Sequence, residues 1–212
     1  MKDICNECSF RGETYDPVLP KFTLPPVKIM FIGENPSWEP GLESPLAQNS
    51  ISGQALDKYY LTPLKLLRNK VWITNLIKCR YPREEPFDVY HHKASHQSDI
   101  QDTANRCCNL WLIEEIKYAM PKIIVTLSDK EVYQRFRKIF DPKLPANFTD
   151  KAVGRSHDIV IDGMPFKLFP MVHPDISRPL PPGETWKKDS REKWSHLHRE
   201  EHIPALMSLL AS

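Results

Sequence analysis

The sequence predicts an α/β protein: a single-domain, three-layer αβα fold around a central, mostly parallel sheet of four strands. Four short apolar runs, rich in β-branched and aromatic side chains, have the length of buried strands. Two segments with apolar residues near a 3.6-residue period lie between them. Strands that alternate with helices indicate a parallel sheet covered on both faces. The 212 residues suit one domain, and the 41% hydrophobic and 26% charged fractions exclude wholesale disorder.

The strands and helices are predicted in alternating order along the chain. The predicted strands cover residues 27–32, 71–73, 123–127 and 166–172. The predicted helices cover residues 53–67 and 105–119; in the second, Leu110, Ile113 and Ile116 recur at helical spacing. One more run, 158–161, is separated from the last strand by 162–165 (DGMP), which predicts a hairpin.

Charge and hydropathy narrow the class of protein. The net charge is +2 and the sequence pI is about 8.2, which permits a nucleic-acid partner without requiring one. Residues 1–10 lack the apolar run of a secretory signal, and no stretch of about 18 apolar residues occurs. We therefore expect a cytoplasmic protein, a monomer with no membrane partner.

Polar residues follow the predicted strands. The segments after them begin with 33–36 (GENP), 74–76 (TNL), 128–129 (SD) and 173–175 (HPD). Open parallel α/β sheets place their ligand sites beyond the carboxyl ends of the strands. These segments are therefore predicted to form one site.

The cysteines form a second candidate constellation. Cys5 and Cys8 are a C-x-x-C pair, Cys79 follows the second predicted strand, and Cys107 and Cys108 open a predicted helix. An odd count of 5 cannot close into a complete set of intramolecular disulfides. Four thiolates from three segments suit either a tetrahedral zinc ion or an iron–sulfur cluster, and spacing alone does not separate the two. Buried, inert cysteines are the alternative.

Four stretches together resemble the uracil-DNA glycosylase superfamily, specifically its iron–sulfur branch, the family-four enzymes. They are 29–37 (IMFIGENPS), 71–82 (VWITNLIKCRYP), 108–127 with a cysteine opening a helix that leads into a strand, and 172–175 (VHPD). The N-terminal C-x-x-C belongs to the same pattern. The resemblance runs in order through nearly the whole chain, so the joint pattern is far more specific than any single motif.

The resemblance implies a cofactor and an organisation for the chain. It assigns a [4Fe-4S] cluster to Cys5, Cys8, Cys79 and Cys108 and leaves Cys107 spare, with Cys107 as the alternative fourth ligand and zinc as the alternative metal. The chain 1–212 would be one glycosylase-like domain. Within it, 1–26 would be the cluster-binding segment, 83–102 an inserted surface loop, and 178–212 a basic tail with a terminal helix.

The resemblance also implies roles for the strand-end residues. Asn75 would pair with the O4 and N3–H edge of uracil, because an amide both donates and accepts. His173 would donate to the uracil O2 as negative charge develops on the departing base. Asn35 would position the attacking water, while Glu34 would support the pocket and act electrostatically on the sugar cation. Pro36 would stiffen the substrate-binding loop.

The chain departs from the branch at several positions. Ser37 replaces the usual glycine, and the aromatic residue that stacks on uracil has no certain counterpart; Leu46 is the nearest match and Trp38 a second candidate. The insertion 83–102 carries three histidines but lacks the basic lead-in motif of the related branch that uses such a loop covalently.

Two regions are candidates for contact with DNA. Ile176 or Arg178 would be the wedge that holds the base out of the duplex. Between Arg178 and Arg199 the chain has 6 basic and 3 acidic residues with Trp186, Trp194, His196 and His198 among them, which suits phosphate and base contact; an amphipathic terminal helix is an equal alternative.

The resemblance implies a monofunctional uracil-DNA glycosylase that acts on uracil-containing DNA and initiates base excision repair. The alternative is a non-catalytic or altered-specificity DNA-binding member of the same scaffold.

Overall fold

The computed structural model describes residues 18, 20, 23–36, 44–78, 94–128, 132–149, 151–177 and 188–212, and the side chains of 94–106, 177, 188 and 189 are outside the description. A mostly parallel sheet forms the centre of this part of the chain. Its strands are β1 (Ile29–Gly33), β2 (Trp72–Asn75), β3 (Ile123–Leu127), β4 (His157–Ile161) and β5 (Met164–Met171), in the spatial order β2-β1-β3-β5-β4. The four parallel strands follow the order β2-β1-β3-β5, which is that of an open doubly wound sheet, a fold that binds ligands beyond the carboxyl ends of its strands.

The sheet has five strands among the described residues, one more than the four predicted, because the hairpin partner β4 joins it. β4 pairs with β5 antiparallel, and the other pairs are parallel. The turn between them is two residues long, and Asp162 and Gly163 both have left-handed φ angles, 49° and 79°. An Asp-Gly pair is the strongest short-range signal for such a turn, since both residues tolerate positive φ.

Helices cover both faces of the sheet. They are α1 (Ile51–Leu56), continued by a π-helical turn (Asp57–Leu61), a 3₁₀ turn (Arg68–Lys70), α2 (Ala94–Ala119), α3 (Gln134–Phe140), α4 (Pro174–Ser177), α5 (Lys188–Leu197), a second π-helical turn (His198–His202) and α6 (Ile203–Ala211). Helix α2 begins at Ala94, so 94–102 of the predicted inserted loop is helical; the rest of that insertion lies outside the described residues. None of the described helices is long and apolar enough to cross a membrane.

The core has two halves, one on each face of the sheet. Met30 and Ile32 of β1 pack with Leu112 and Ile116 of α2, whereas Phe31, which points to the opposite face, packs with α1 and α6 residues. This alternation follows from the two-residue period of a strand. It confirms the predicted αβα layering, and all five residues of β1 are buried, as a central parallel strand requires.

Candidate active site

The carboxyl ends of β1 and β2 place a buried amide against a glycine. Asn75 is the last residue of β2 and pairs with Gly33, the last residue of β1. A Cβ atom at position 33 would lie 2.5 Å from Asn75 Oδ1, so the amide occupies space that only glycine leaves. Asn75 is 1% exposed, and neither its Nδ2 nor its Oδ1 has a hydrogen-bond partner among the described residues. Burying an amide without partners is costly, which indicates that a ligand completes it.

Leu46 lies beside this amide. Its Cδ1 is 3.8 Å from the position that a Gly33 Cβ would take, and the side chain is half-buried. Its φ angle of 47° is left-handed, a conformation that bulky residues seldom adopt. The structure therefore brings Leu46, Gly33 and Asn75 close together.

The segment after β1 continues the parallel pairing. Leu76 N–H donates to the Gly33 carbonyl at 2.9 Å, and Ile77 N–H donates to the Glu34 carbonyl at 2.8 Å. These bonds fix the backbone on which the Glu34 and Asn35 side chains are half-buried. Asn35 Nδ2 donates to the carbonyl oxygen of Pro36 at 3.1 Å.

His173 is connected to α1 through Asp175, which hydrogen-bonds to Ser52. The backbone N–H of Asp175 donates to His173 Nδ1 at 3.2 Å, which makes Nδ1 an acceptor and puts the hydrogen of a neutral ring on Nε2. The Asp175 carboxylate accepts from Ser52 Oγ at 3.2 Å, and its Oδ2 is 3.7 Å from the same Nδ1. The start of α1 thus bridges the Leu46 segment and the His173 segment.

Two buried aromatic residues support the strand end before His173. The Tyr60 hydroxyl donates to the Val172 carbonyl, and the Tyr60 ring lies against His198 with ring centroids 4.4 Å apart. His198 is fully buried, and this burial lowers its pKa to about 4. Of the two alternatives for this region, packing of the terminal helix therefore applies to His198, which lies against Tyr59 and Tyr60 of the π-helical turn after α1. Trp194 is half-buried and packs toward Phe148, while His196 is exposed.

Sequence reasoning missed two polar residues around the site, Lys78 and Glu115, and it placed Asp175 in a site segment without giving it a role. A signal for Glu115 exists, because 108, 111, 112, 115 and 116 fall on one helical face whose other members are apolar or cysteine. Lys78 directly follows the apolar Leu76 and Ile77. A charged residue in an apolar pattern needs a buried partner, and here the two are partners of each other.

Comparisons with known proteins bear on this geometry. The family model described as Uracil DNA glycosylase superfamily matches residues 20–179. The chain belongs to the uracil DNA glycosylase superfamily. Two similar relatives are both named Type-4 uracil-DNA glycosylase. The one from Saccharolobus solfataricus is 28% identical over 156 residues, 73% of this chain and 64% of the relative. The one from Sulfurisphaera tokodaii is 29% identical over 153 residues, 71% of this chain and 60% of the relative.

The match therefore covers less than two thirds of the length of these curated relatives. The matched family region contains the sheet edge with Gly33, Asn75 and His173, and it contains Cys79 and Cys108. The names of the two relatives support the predicted likeness to the family-four glycosylases. The region matched by the family model ends at residue 179, before the terminal helices α5 and α6.

Cys108 is the one proposed ligand of this superfamily member that lies within the described residues; Cys5, Cys8 and Cys79 lie outside them. It is buried, and the backbone N–H of Lys78 donates to its Sγ at 3.5 Å. Val18 N–H donates to the Lys78 carbonyl at 2.8 Å. Lys78, the residue before Cys79, therefore contacts both Val18 and the Cys108 sulfur. Val18 belongs to the segment that follows the C-x-x-C. Within the described residues no group of three or more His, Cys, Asp or Glu side chains has metal-binding geometry.

This convergence fits a cysteine-ligated cluster. Amide N–H bonds to ligand sulfurs are a usual feature of iron–sulfur sites. Cys107 is also buried.

The two wedge candidates are placed unequally. Ile176 is half-buried in α4, where its N–H donates to the His173 carbonyl at 2.9 Å. This short helical turn thus fixes the position of Ile176 relative to His173. Arg178, Trp38 and Trp186 lie outside the described residues.

Proposed function

We propose that this chain is a uracil-DNA glycosylase that hydrolyses the N-glycosidic bond of deoxyuridine extruded from DNA. The product is an abasic site, which initiates base excision repair. The observation that carries the proposal is the Asn75 amide, which is 1% exposed and lacks hydrogen-bond partners among the described residues at the carboxyl edge of the sheet. The superfamily match and the printed names of the relatives agree with it.

Base recognition would rest on Asn75 and its neighbours. An amide can donate to O4 and accept from N3–H of uracil, whereas cytosine presents the opposite pattern at those atoms. An amide held in one orientation would leave buried groups unpaired against cytosine, a cost of about 1–3 kcal/mol for each group. Leu46 would cover the base, and Gly33 leaves the space that the Asn75 amide occupies.

His173 would act on the departing base. Because Nδ1 accepts the Asp175 N–H, the neutral ring carries its hydrogen on Nε2 and can donate it to the uracil O2. As the bond to the sugar breaks, its electron pair moves onto the base, so this hydrogen bond strengthens in the transition state and raises the rate.

Glu34 and Asn35 would act on the sugar and the water. The carboxylate of Glu34 would stabilise the positive charge that develops on the sugar. Asn35 donates its amide hydrogen to the Pro36 carbonyl, so its amide oxygen would accept from the water that adds to the sugar carbon. An amide is not a strong base, so we infer that the glycosidic bond breaks before the water attacks and loses its proton.

We further propose a [4Fe-4S] cluster held by Cys5, Cys8, Cys79 and Cys108. When bound, it would supply structural cross-linking rather than electron chemistry. Its support is the meeting of the Val18 backbone and the Cys108 sulfur at Lys78. Zinc is the alternative that the thiolate set also permits.

Base release tests the proposed function. The full chain is incubated with single-stranded and duplex oligonucleotides that carry one uracil, and free uracil is measured by chromatography. We expect uracil release, with strand breaks only after alkali because the enzyme is monofunctional. Oligonucleotides with cytosine or thymine at the same place are the controls. Binding of the uracil oligonucleotide without release would favour the non-catalytic, DNA-binding alternative.

A further inference from the structure

A buried lysine, Lys78, donates a hydrogen bond to the backbone carbonyl of Asn75. Lys78 is fully buried, and its Nζ donates to Thr74 Oγ1, to the Asn75 carbonyl and to Glu115 Oε2, each at 2.7 Å. An ammonium group has three hydrogens to donate, so these three oxygens use all of them. The position of Nζ is therefore fixed by three short bonds to two elements, β2 and α2.

Glu115 completes this arrangement from α2. The residue is 1% exposed, and its Oε2 also accepts from the Thr74 hydroxyl at 2.7 Å. Removing a lysine and a glutamate from water costs several kcal/mol for each ion, and well-packed apolar residues in place of such a pair are often as stable. Stability alone therefore does not account for this pair beneath the site.

The pair lies next to the group that needs orientation. The Asn75 side-chain amide receives no hydrogen bond from the described residues, so its direction depends on its backbone and on packing against Gly33. The Asn75 backbone is paired with β1 on one side, and its carbonyl is held by Lys78. Loss of the ammonium would release this carbonyl and let the peptide and the attached side chain turn.

We propose that Lys78 and Glu115 are positioning residues for the Asn75 amide and thereby set the selectivity for uracil over cytosine. The inference rests on the proposed function. Neither side chain contacts the base; both act through the peptide of Asn75. The backbone of Lys78 also meets Val18 and the Cys108 sulfur, so the same residue joins the cysteine segments to the base-binding amide.

The test replaces both members of the pair, since one alone would leave an uncompensated buried charge and risk unfolding. The variant is Lys78→Met/Glu115→Leu. A second variant, Lys78→Met/Glu115→Gln, keeps an acceptor for the Thr74 hydroxyl and serves if the first does not fold. The matched control is Lys117→Met/Glu114→Leu, which removes an exposed lysine–glutamate pair from α2, the helix that carries Glu115.

Selectivity is read by binding, without catalysis. Fluorescence anisotropy compares a duplex containing a cleavage-resistant, fluorine-substituted deoxyuridine with the same duplex containing deoxycytidine. We expect the affinity ratio to fall roughly ten- to a hundred-fold in the buried-pair variant and to stay unchanged in the control. The thermal unfolding midpoint and the visible absorbance per mole of protein should stay close to those of the parent chain.

A cycle with Asn75→Ala separates positioning from general damage. If the pair acts through Asn75, its replacement causes no further loss of binding or base release in the Asn75→Ala background. An equal loss in both backgrounds would overturn the inference. Unchanged selectivity in the buried-pair variant, with the parent chain active, would overturn the inference alone. A parent chain that neither releases uracil nor prefers it would overturn the proposed function and the inference with it.

Discussion

At the scale of single residues, Asn75 carries most of the proposed recognition. We expect Asn75→Ala to lower the rate of uracil release by roughly ten- to a hundred-fold, since it removes two hydrogen bonds that each contribute about 0.5–1.5 kcal/mol net. The unfolding midpoint should not fall, because the amide has no partner among the described residues to lose. Single-turnover base release checks the rate. Asn69→Ala, an exposed asparagine before the same strand, is the control and should match the parent chain.

Gly33 gives a second prediction at this scale. A methyl group there would meet the Asn75 side-chain oxygen at 2.5 Å, and this oxygen can move because it ends a side chain. Gly33→Ala should therefore weaken uracil binding while the unfolding midpoint stays near that of the parent chain. At Gly53 the added methyl would meet the Ala47 carbonyl at 1.9 Å, which is backbone. Gly53→Ala should instead lower the midpoint, and equal midpoints for the two variants would contradict this account.

At the scale of elements, local pattern predicts the central strands well. Strands β1, β2 and β3 read as short apolar runs because both of their faces are buried, and an observed strand overlaps each predicted one. The sheet was predicted with four strands because β4 alternates exposed and buried residues, and its run, 158–161, was predicted only as the hairpin partner of the last strand. The start of α2 at Ala94 was missed because 94–104 has few apolar residues, and helical spacing is visible only from 105 onward.

The site divides in the same way. Asn75 and His173 could be predicted because residues beyond the ends of parallel strands share one edge, whatever the rest of the fold. Lys78, Glu115 and Tyr60 act through contacts between elements far apart in the sequence, and pattern within one element does not contain such pairings. The burial of His198 could not be predicted for the same reason, because it depends on Tyr59 and Tyr60 of the π-helical turn after α1.

His198 also predicts how the packing of the terminal helices responds to pH. Desolvation lowers its pKa from 6.5 to about 4, with smaller contributions in the same direction from His202 and Arg199, against an opposing bond to the Tyr59 carbonyl. Between pH 6.5 and 4, His198 is therefore protonated in the unfolded chain but stays neutral in the folded chain. Stability is full above pH 6.5 and falls toward pH 4, by about 3 kcal/mol at most from this group.

The check is denaturant unfolding between pH 4 and 7.5. His198→Gln, whose amide can still donate to the Tyr59 carbonyl, should flatten the fall in the free energy of unfolding across this range. The exposed neighbour His196 is the control, and His196→Gln should retain the parent slope. An unchanged slope in His198→Gln would show that other groups cause the acid response.

At the scale of the whole molecule, the proposed cluster would join segments that are far apart in the sequence. Val18 is hydrogen-bonded to Lys78, and Lys78 is hydrogen-bonded to the Cys108 sulfur. Three parts of the chain therefore come together at Lys78: the N-terminal segment, helix α2 and the segment that follows β2. A covalent cross-link over such long loops stabilises a protein by about 2–4 kcal/mol, chiefly by restricting the unfolded chain. Because Lys78 also holds the Asn75 carbonyl, loosening these segments should reach the base-binding amide as well.

The last prediction separates the two adjacent cysteines. After anaerobic purification, the parent chain should be brown, with the visible absorption of iron–sulfur charge transfer and four irons for each cluster. Cys108→Ala should lose this absorption, and its unfolding midpoint should fall by roughly 5–15 °C, the shift that 2–4 kcal/mol produces in a chain of this size. Cys107→Ala, equally buried and one residue away, should keep both the colour and the iron. The reverse result would make Cys107 the ligand, and a colourless parent chain that contains zinc would replace the cluster with a tetrahedral zinc site.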